Sequence, residues 1–443
     1  MKNHLNVVLF SLIAATGASL LAGCTSTPTS SANTSTSTTT SKTTSYANNG
    51  KIGLVLIGDE TEGYTKAHMD GMAAAAEKLG VTDRLIYKKK VLEDSGCKTA
   101  IDDLVASDCG LVVSNSYGHQ DYMNQAAETY TDAKFVAMTG DYAKISGKTN
   151  FKNAFVSIYQ ARYVSGIVAG MKLKALADAN SLDTTFNQDG NGNWKVGYVG
   201  AFQYAEVISG FTSFYLGIKS VISNVVMDVS FTNSWFDIDK EASAADALVK
   251  EGCVIIGQHA DSTGAPGKVE SLLGTTRTGD KKYVCYSVGF NIDMTTVAPN
   301  AALTSAINNW EVYYEYLFGQ YLNNQTIADD WCKGYDADAV AISPLNSKCV
   351  ADGTQAAVDK AIAGIKAGTI QVFNTDSFKV SGAKVTAHTF DLSKIDYSTG
   401  SVIYKGDSVE TIKTENGVSY FAESTYRAAP YFDLKVDGIT WLN

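Results

Sequence analysis

From residue 51 onward, short apolar runs alternate with longer segments in which apolar residues recur every three or four positions. Runs such as KIGLVLIG (51–58), GLVVSNS (110–116) and KFVAMTG (134–140) predict buried strands. A segment such as YTKAHMDGMAAAAEKLG (64–80) predicts an amphipathic helix. Strands and helices that alternate in this way form parallel sheets with helices on both faces, so we expect an α/β fold.

The alternating pattern occurs twice. A polar, turn-rich stretch at 186–193 separates the first series from a second, which runs from WKVGYVGA at 194 to KYVCYSVGF at 290. Since 443 residues exceed what one hydrophobic core usually holds, we expect two doubly wound lobes with a cleft between them. The predicted divisions are lobe 1 at about 49–160 and 291–345, lobe 2 at about 161–290, a C-terminal crossover that completes the two-lobed domain of 49–375, and an extension of strands and loops at 376–443.

The N-terminus carries a targeting pattern. Lys2 precedes an apolar run at 5–21, and LAGC follows, ending at Cys24. This order predicts a secretory signal peptide over 1–23. The LAGC tetrapeptide resembles a bacterial lipobox, which implies a lipid on Cys24; an ordinary signal peptide is the alternative.

The stretch after Cys24 is composed almost entirely of Ser and Thr up to residue 45. Such a stretch cannot bury enough apolar surface to offset its ordering entropy, so 24–48 predicts a lipid anchor followed by a disordered tether. We therefore expect a protein anchored by lipid at the extracytoplasmic face of the cell membrane.

Charge and composition exclude one class of partner. The formal net charge is −10, and no basic cluster is large enough for a nucleic-acid footprint; the short run of three lysines at 88–90 is interpreted as the solvated end of a strand. A nucleic-acid partner is therefore not expected.

Six cysteines follow Cys24, and disulfides are permitted outside the membrane. Cys97 with Cys109, and Cys332 with Cys349, are plausible pairs, although spacing does not fix connectivity. Without a CxxC motif, neither a zinc site nor a redox site is predicted.

Side chains suited to binding small molecules follow seven of the predicted strands. The carboxyl ends of parallel strands meet at one edge of a sheet, so these side chains should line the cleft. Aromatic rings stack on flat heteroaromatic molecules, while carboxylates and amides bond to their N–H groups and ring nitrogens. The predicted ligand-binding residues are Asp59, Tyr64, Asn115, Tyr117, Gly140, Glu206, Trp235, Phe236, Asp237, Asp261, Gly289, Asn291 and Asp293.

Each of these residues also has a purely structural interpretation. Asp59 and Asp237 are suited to capping helices, Trp235 to packing beneath its loop, and the two glycines to backbone geometry. The prediction of a site therefore rests on the joint pattern. We find none of the motifs GxSxG, HExxH, GxxxxGK[ST] or a GxGxxG after a strand, so we predict no enzyme, no cofactor and no metal site.

Several long segments resemble the basic membrane protein family, whose members are lipid-anchored substrate-binding proteins of ABC importers. The segments are IGDETEGYTKAHMDG, SNSYGHQDY, YQARYVSGIVAG, FTNSWFDIDKEASAADALVKEGCVIIGQHADSTGAP and YSVGFNIDM with VAPNAALTSAINNW. The resemblance implies a type I periplasmic-binding fold, in which two α/β lobes are joined by a three-strand hinge. It further implies a purine nucleoside or free purine base as ligand, an ABC permease as partner and a monomer.

Carried over to this chain, the resemblance implies that Tyr64 stacks on the base from the first lobe and that Trp235 or Phe236 stacks from the second. Asn115 and Asp261 would line the cleft, and the loop of Asn291 and Asp293 would face the ribose. That loop has no lysine to match the usual nucleoside pattern, which leaves a base-only ligand open. The alternatives are a receptor for another small solute such as a sugar, and a surface nucleoside hydrolase.

Overall fold

The computed structural model describes residues 47–396 and 399–443. The predicted signal peptide, the anchor at Cys24 and nearly all of the tether lie outside the described residues. The helices are α1 (Gly63–Leu79), α2 (Ser95–Ala106), α3 (Gln120–Thr129), α4 (Ile158–Asp178), α5 (Thr184–Asn187), α6 (Ala205–Lys219), α7 (Ile238–Lys250), α8 (Gly264–Leu272), α9 (Trp310–Leu322) and α10 (Thr354–Lys366).

The strands follow the same order along the chain. Those of the first 300 residues are β1 (Lys51–Val55), β2 (Leu85–Lys88), β3 (Cys109–Ser114), β4 (Lys134–Met138), β5 (Phe151–Val156), β6 (Trp194–Gly200), β7 (Val225–Phe231), β8 (Ile255–Gln258), β9 (Thr276–Thr278), β10 (Lys281–Lys282) and β11 (Tyr286–Phe290). The later strands are β12 (Ala302–Asn308), β13 (Asp330–Lys333), β14 (Val340–Ile342), β15 (Thr389–Asp391), β16 (Lys394–Ile395), β17 (Val402–Tyr404), β18 (Ser408–Glu410), β19 (Ile412–Glu415), β20 (Val418–Phe421) and β21 (Ile439–Trp441).

Two parallel sheets form the frame, as the alternating pattern predicts. The first sheet has the order β13-β5-β4-β3-β1-β2, and its neighbouring strands all run parallel. The second has the order β14-β12-β11-β8-β6-β7-β21, in which only β12 and β14 are antiparallel neighbours. The α/β class and the type I fold are confirmed.

Helices cover both faces of each sheet. On one face of the first sheet, Leu104 of α2 and Met123 of α3 bury against Phe135 of β4. α1 packs with α9 on the opposite face. In the second sheet, α7 and α8 cover one face, and α4 and α6 cover the other.

Three connections carry the chain between the sheets. The chain leaves the first sheet after β5 through α4, returns after β12 through α9, and crosses again between β13 and β14. β12 belongs to the second sheet, whereas the sequence pattern assigns 291–345 to the first lobe. An apolar strand has the same sequence pattern in either sheet, so the pattern does not predict which sheet the strand joins.

Residues 376–443 form the C-terminal segment. Three small antiparallel pairs, β15 with β18, β16 with β17, and β19 with β20, lead to β21, which pairs in parallel with β7 at the edge of the second sheet. The extension predicted as strands and loops is therefore partly built into the second sheet.

Neither of the two plausible cysteine pairs forms a disulfide in the described residues. Cys97, Cys109, Cys332 and Cys349 are free thiols in the described residues, as are Cys253 and Cys285. Cys332 instead lies 3.4 Å from the Ser157 hydroxyl, so closeness in sequence did not pair these cysteines. None of the described helices combines the length and the hydropathy that crossing a bilayer requires.

Candidate functional site

A cavity of about 910 Å³ lies where the carboxyl ends of strands from both sheets meet. Eleven segments of the chain line it, and they include the loops after β1, β3, β4, β6, β7 and β8. The position agrees with the general rule that ligands of open α/β sheets bind beyond the carboxyl ends of the strands. The cavity is the candidate functional site.

Eight of the predicted residues line this cavity together: Asp59, Tyr64, Asn115, Tyr117, Glu206, Trp235, Phe236 and Asp261. The structure shows that these eight residues line one cavity. That they contact a ligand stays a prediction. The remaining five are Gly140, Asp237, Gly289, Asn291 and Asp293, which do not belong to the lining.

Each of those five has a structural role in the fold, and its contact with a ligand stays a prediction. Asp237 and Asp293 cap helices, accepting from the backbone N–H of Lys240 at 3.0 Å and of Thr295 at 2.9 Å. Alanine at Gly140 would collide with Asn153, and alanine at Gly289 with Ser305 and Met294, so close packing requires glycine at both. Asn291 lies behind the lining and donates to the Asp261 carboxylate at 2.7 Å.

The first-sheet wall is built on the start of α1. Glu62 caps this helix, and its carboxylate accepts from the backbone N–H groups of Tyr64 (2.7 Å) and Thr65 (2.8 Å). Glu62 is buried, and burial raises its pKa although the helix hydrogen bonds oppose that shift. The cap holds Tyr64 at the cavity, where its hydroxyl donates to the Asn115 carbonyl at 2.8 Å.

Asn115 and Asp59 mainly shape the loop after β1. The Asn115 amide oxygen accepts from Ile57 N at 2.8 Å, and its nitrogen donates to the Thr65 hydroxyl at 3.2 Å. The Asp59 carboxylate forms an ion pair with Lys90 at 2.6 Å, and the hydrogen bond from Lys90 holds its pKa well below the usual range. Lys90 therefore contacts the site, whereas the sequence suggested only the solvated end of a strand.

The second-sheet wall is aromatic. Trp235 is half-buried, with its ring 5.0 Å from that of Phe202 and 6.0 Å from that of Tyr204. Phe236 is 39% exposed, and the backbone carbonyl of Trp235 accepts from Asp261 N at 2.8 Å, which ties two lining loops together. Tyr204 approaches Tyr117 of the opposite wall, with ring centroids 6.1 Å apart, so aromatic side chains of both sheets meet at the cavity.

Carboxylates and one buried cation set the electrostatics of this wall. Burial lowers the pKa of His259, which lies 2.9 Å from Glu206 (Nε2 to Oε1). A neutral His259 with its proton on Nε2 donates to the Glu206 carboxylate. Burial alone would raise the pKa of Glu206, but His259 and the buried guanidinium of Arg162 outweigh it and lower that pKa.

Asp261 differs from Glu206. It is 8% exposed, and burial followed by the negative charge of Glu62 raises its pKa well above the ordinary value. Its Oδ1 accepts from Asn291, whose own Oδ1 accepts from Asn308 at 2.8 Å. A protonated Asp261 presents one donor and further acceptor capacity at the cavity.

A third wall comes from the C-terminal segment, which contributes Phe390, Arg427, Ala429 and Pro430 to the lining. Sequence reasoning missed this wall, as it missed Glu62 and Lys90. The signal that could have found it is the stretch TYRAAPYF at 425–432, where an arginine lies among aromatic residues in a segment without helical or strand periodicity.

Three histidines of the two lobes each bond to a different partner within the protein and do not form a shared cluster. His68 bonds to the Tyr314 hydroxyl, His119 to the Val91 carbonyl and His259 to Glu206. Across 47–396 and 399–443, the structure contains no group of three or more metal-ligating side chains arranged to hold an ion.

Two parallel sheets, three connections between them and a cavity at their facing edges define a two-lobed solute-binding protein. Residues 57–375 match the Bmp family, described as PnrA-like substrate-binding proteins of ABC transporters, and the chain belongs to this family. The predicted family resemblance is confirmed.

Individual relatives agree with this assignment. The chain is 27% identical over 336 residues to a purine-binding protein of Brucella abortus, covering 75% of this chain and 86% of that protein. It is 26% identical over 252 residues to a protein of Haloferax volcanii provisionally assigned as an ABC transporter glucose-binding protein, covering 57% of this chain and 56% of that one. The crystal structure of an ABC transporter solute-binding protein from Aeropyrum pernix superimposes with a TM-score of 0.58 at 14% identity, covering 73% of this chain and 93% of that chain, which supports the fold.

Proposed function

We propose that this chain is the lipid-anchored substrate-binding component of an ABC importer, and that it binds a purine nucleoside or a purine base in the cavity between the two sheets. The observation that carries the proposal is the pair of aromatic walls, with Tyr64 and Tyr117 on the first-sheet side and Tyr204 and Trp235 on the second. Stacking between a base and an aromatic ring is worth roughly 1–3 kcal/mol. The name of the Brucella relative also supports a purine ligand.

The predicted site residues divide into two groups under this proposal. The eight that line the cavity are proposed to contact the ligand, with carboxylates accepting from its N–H groups. Asn291 is proposed to act through Asp261, because its amide holds that carboxyl group in place.

Transport follows from conformational selection without a covalent step. A ligand that touches both lobes stabilises their closed arrangement by its difference in affinity for the closed and open forms. Hinge bending would exchange the two forms, and the closed form would dock on the permease. The protein would act at the extracytoplasmic face of the membrane as a monomer.

The test is a tryptophan fluorescence titration of the purified full chain with adenosine, guanosine, inosine, adenine and glucose. We expect saturable binding of at least one purine and none of glucose. Chromatography of each nucleoside after incubation checks the hydrolase alternative, since release of free base would contradict a pure binding role.

A sugar ligand is the second candidate. Carboxylates beside aromatic rings also suit a pyranose, and the provisional assignment of the Haloferax relative as a glucose-binding protein favours it. Saturation by glucose in the same titration, without saturation by any purine, would establish the second candidate and overturn the first.

A further inference from the structure

The C-terminal segment gives the cavity a wall that the family-matched residues 57–375 do not supply. The family match ends at residue 375, and Phe390, Arg427, Ala429 and Pro430 all come from the chain that follows. Arg427 is the one member of this wall whose side chain carries a charge.

Contacts with the first sheet hold this wall in place. The backbone N–H of Ala428 donates to Asp330 at 2.8 Å, and the Arg427 guanidinium lies 3.4 Å from the Asp141 carboxylate. Earlier in the segment, between Phe390 and Arg427, the Tyr404 ring stacks on Tyr142 with centroids 5.5 Å apart. The wall is therefore attached to the first sheet and its loops at several positions between Phe390 and Pro430.

Hydrogen bonds within the turn at 424–432 hold Arg427 in position. The Glu423 carboxylate is 5% exposed and accepts from three backbone N–H groups, those of Ser424 (2.9 Å), Tyr431 (2.8 Å) and Phe432 (3.0 Å). Residues 424–432 thus fold around one buried carboxylate. Arg427 is held at the cavity before any ligand arrives, which reduces the entropy lost on binding.

Arg427 retains unused hydrogen-bonding capacity. A guanidinium carries five N–H donors, and protein acceptors occupy three of them: Asp141, the Ala429 carbonyl and the Pro430 carbonyl. Two N–H groups therefore lack an acceptor among the residues that the structure describes. The guanidinium also lies 5.1 Å above the centre of the Phe390 ring, a cation–π contact that helps hold it in place.

Most of the charged side chains that line the cavity are acidic, so a charged hydrogen-bond donor such as Arg427 stands out among them. Asp59, Glu62, Asp141 and Glu206 are carboxylates, which accept hydrogen bonds when ionised. The other cation, Lys90, is 72% exposed and paired with Asp59. A ligand group that needs a charged donor is therefore served best at Arg427.

We propose that Arg427 is a specificity-determining residue that donates hydrogen bonds to an acceptor oxygen of the ligand. This inference rests on the proposed function, in which the cavity holds a purine nucleoside or base. On such a ligand the acceptor oxygen belongs to the 6-oxo group of the base, to a ribose hydroxyl or to a 5′-phosphate. A series of compounds that gains these groups one at a time shows which oxygen Arg427 recognises.

The experiment is isothermal titration of the full chain with adenine, hypoxanthine, inosine and inosine 5′-monophosphate, which add a 6-oxo group, a ribose and a phosphate in turn. Arg427→Ala and Arg427→Lys are compared with the parent chain. Lys405→Ala is the matched control, because Lys405 is a 72% exposed cation of the same segment that does not line the cavity.

We expect Arg427→Ala to weaken every ligand that carries the recognised oxygen by about tenfold relative to the ligands that lack it, which is the scale of one hydrogen bond to a charged group. Arg427→Lys should restore part of this preference, and Lys405→Ala should leave all affinity ratios unchanged. If Arg427→Ala does not fold, as judged by its melting curve, Arg427→Lys decides the question through the same ratios.

Two results overturn the inference alone: affinity ratios that match those of the parent chain, or equal weakening of all four ligands, which assigns Arg427 a structural role. A parent chain that binds none of the four compounds, and none of the purines of the earlier titration, overturns the proposed function itself.

Discussion

At the residue scale, Trp235 is held at the cavity from two directions. Its ring packs against Phe202 and Tyr204, and its backbone carbonyl accepts from Asp261 N. Asp237, two residues later, caps α7 and fixes where the loop ends. The aromatic residue is therefore positioned by the strand before it and the helix after it, and its side chain lines the cavity.

We expect Trp235→Ala to weaken purine binding by about 1–3 kcal/mol, because one stacking surface is lost. Tyr130→Ala is the control, since Tyr130 is a half-buried aromatic residue that does not line the cavity. Titration by calorimetry avoids the loss of the fluorescence signal. A dissociation constant that Trp235→Ala does not change would assign this side chain to packing alone.

Glu241 should make the stability of the protein depend on pH. It is fully buried, and burial raises its pKa from 4.5 to about 7, although hydrogen bonds from Asp237 N and Ser262 N oppose the shift. Because the raised pKa belongs to the folded state, the unfolded chain ionises first as pH rises. The free energy of unfolding should therefore fall between pH 4.5 and 7, by up to about 3 kcal/mol, and level off above that window.

Glu241→Gln should remove this part of the pH dependence, as measured by chemical denaturation at several pH values. Glu128→Gln is the control, because the Glu128 side chain is 76% exposed. Parallel pH profiles for the parent chain and Glu241→Gln would contradict the assignment.

The sequence could indicate which residue types lie at the strand ends, but not which of them face the cavity. Asp237 and Asp293 follow strands as Asp261 does, yet they cap helices, because a carboxylate near a helix start serves either role. The stretch TYRAAPYF could mark Arg427 as a candidate, but not its place at the cavity, because its contact with Asp141 joins positions far apart in the chain.

At the scale of elements, the packing of α4 on α6 depends on glycine. An alanine at Gly166 would collide with the Phe214 carbonyl, and an alanine at Gly217 with the Tyr163 carbonyl. α4 carries the chain from the first sheet to the second, so the close approach positions both lobes. Glycine is required at both positions because the backbones of α4 and α6 are in direct contact there.

We expect Gly166→Ala to lower the free energy of unfolding by about 1–3 kcal/mol through overpacking. The matched control is Gly319→Ala in α9, where a methyl group meets nothing within 4 Å. That change should be neutral or should stabilise by up to about 1 kcal/mol, since alanine favours helix more than glycine does. Thermal and urea denaturation of both variants test the contrast, and equal effects would contradict it.

The order of strands and helices was largely predictable because apolar periodicity is local. Which sheet each strand joins, and beside which neighbour, was less predictable. β12 joins the second sheet, and β21 pairs with β7. These pairings and the free state of Cys332 and Cys349 depend on contacts between distant parts of the chain. Spacing along the sequence carries no information about them.

At the scale of the whole molecule, attachment to the membrane follows from Cys24 in our proposal. We expect Cys24→Ala to move the protein from the membrane fraction to the soluble fraction, because the lipid would be lost. Fractionation followed by immunoblotting measures this, and Ser19→Ala in the preceding apolar run is the control. Retention of Cys24→Ala in the membrane fraction to the same extent would favour an anchor other than this lipid.

The pairing of β21 with β7 also bears on how the protein is made. β7 spans residues 225–231, and its partner begins at residue 439, so one border of the second sheet stays open while about two hundred further residues are synthesised. An unpaired strand edge invites association with other chains, and pairings between distant residues form slowly. We expect a nascent chain to complete its second lobe only once residue 441 is available, and if the chain is exported as we propose, this delay would help it to stay unfolded for passage through an export channel.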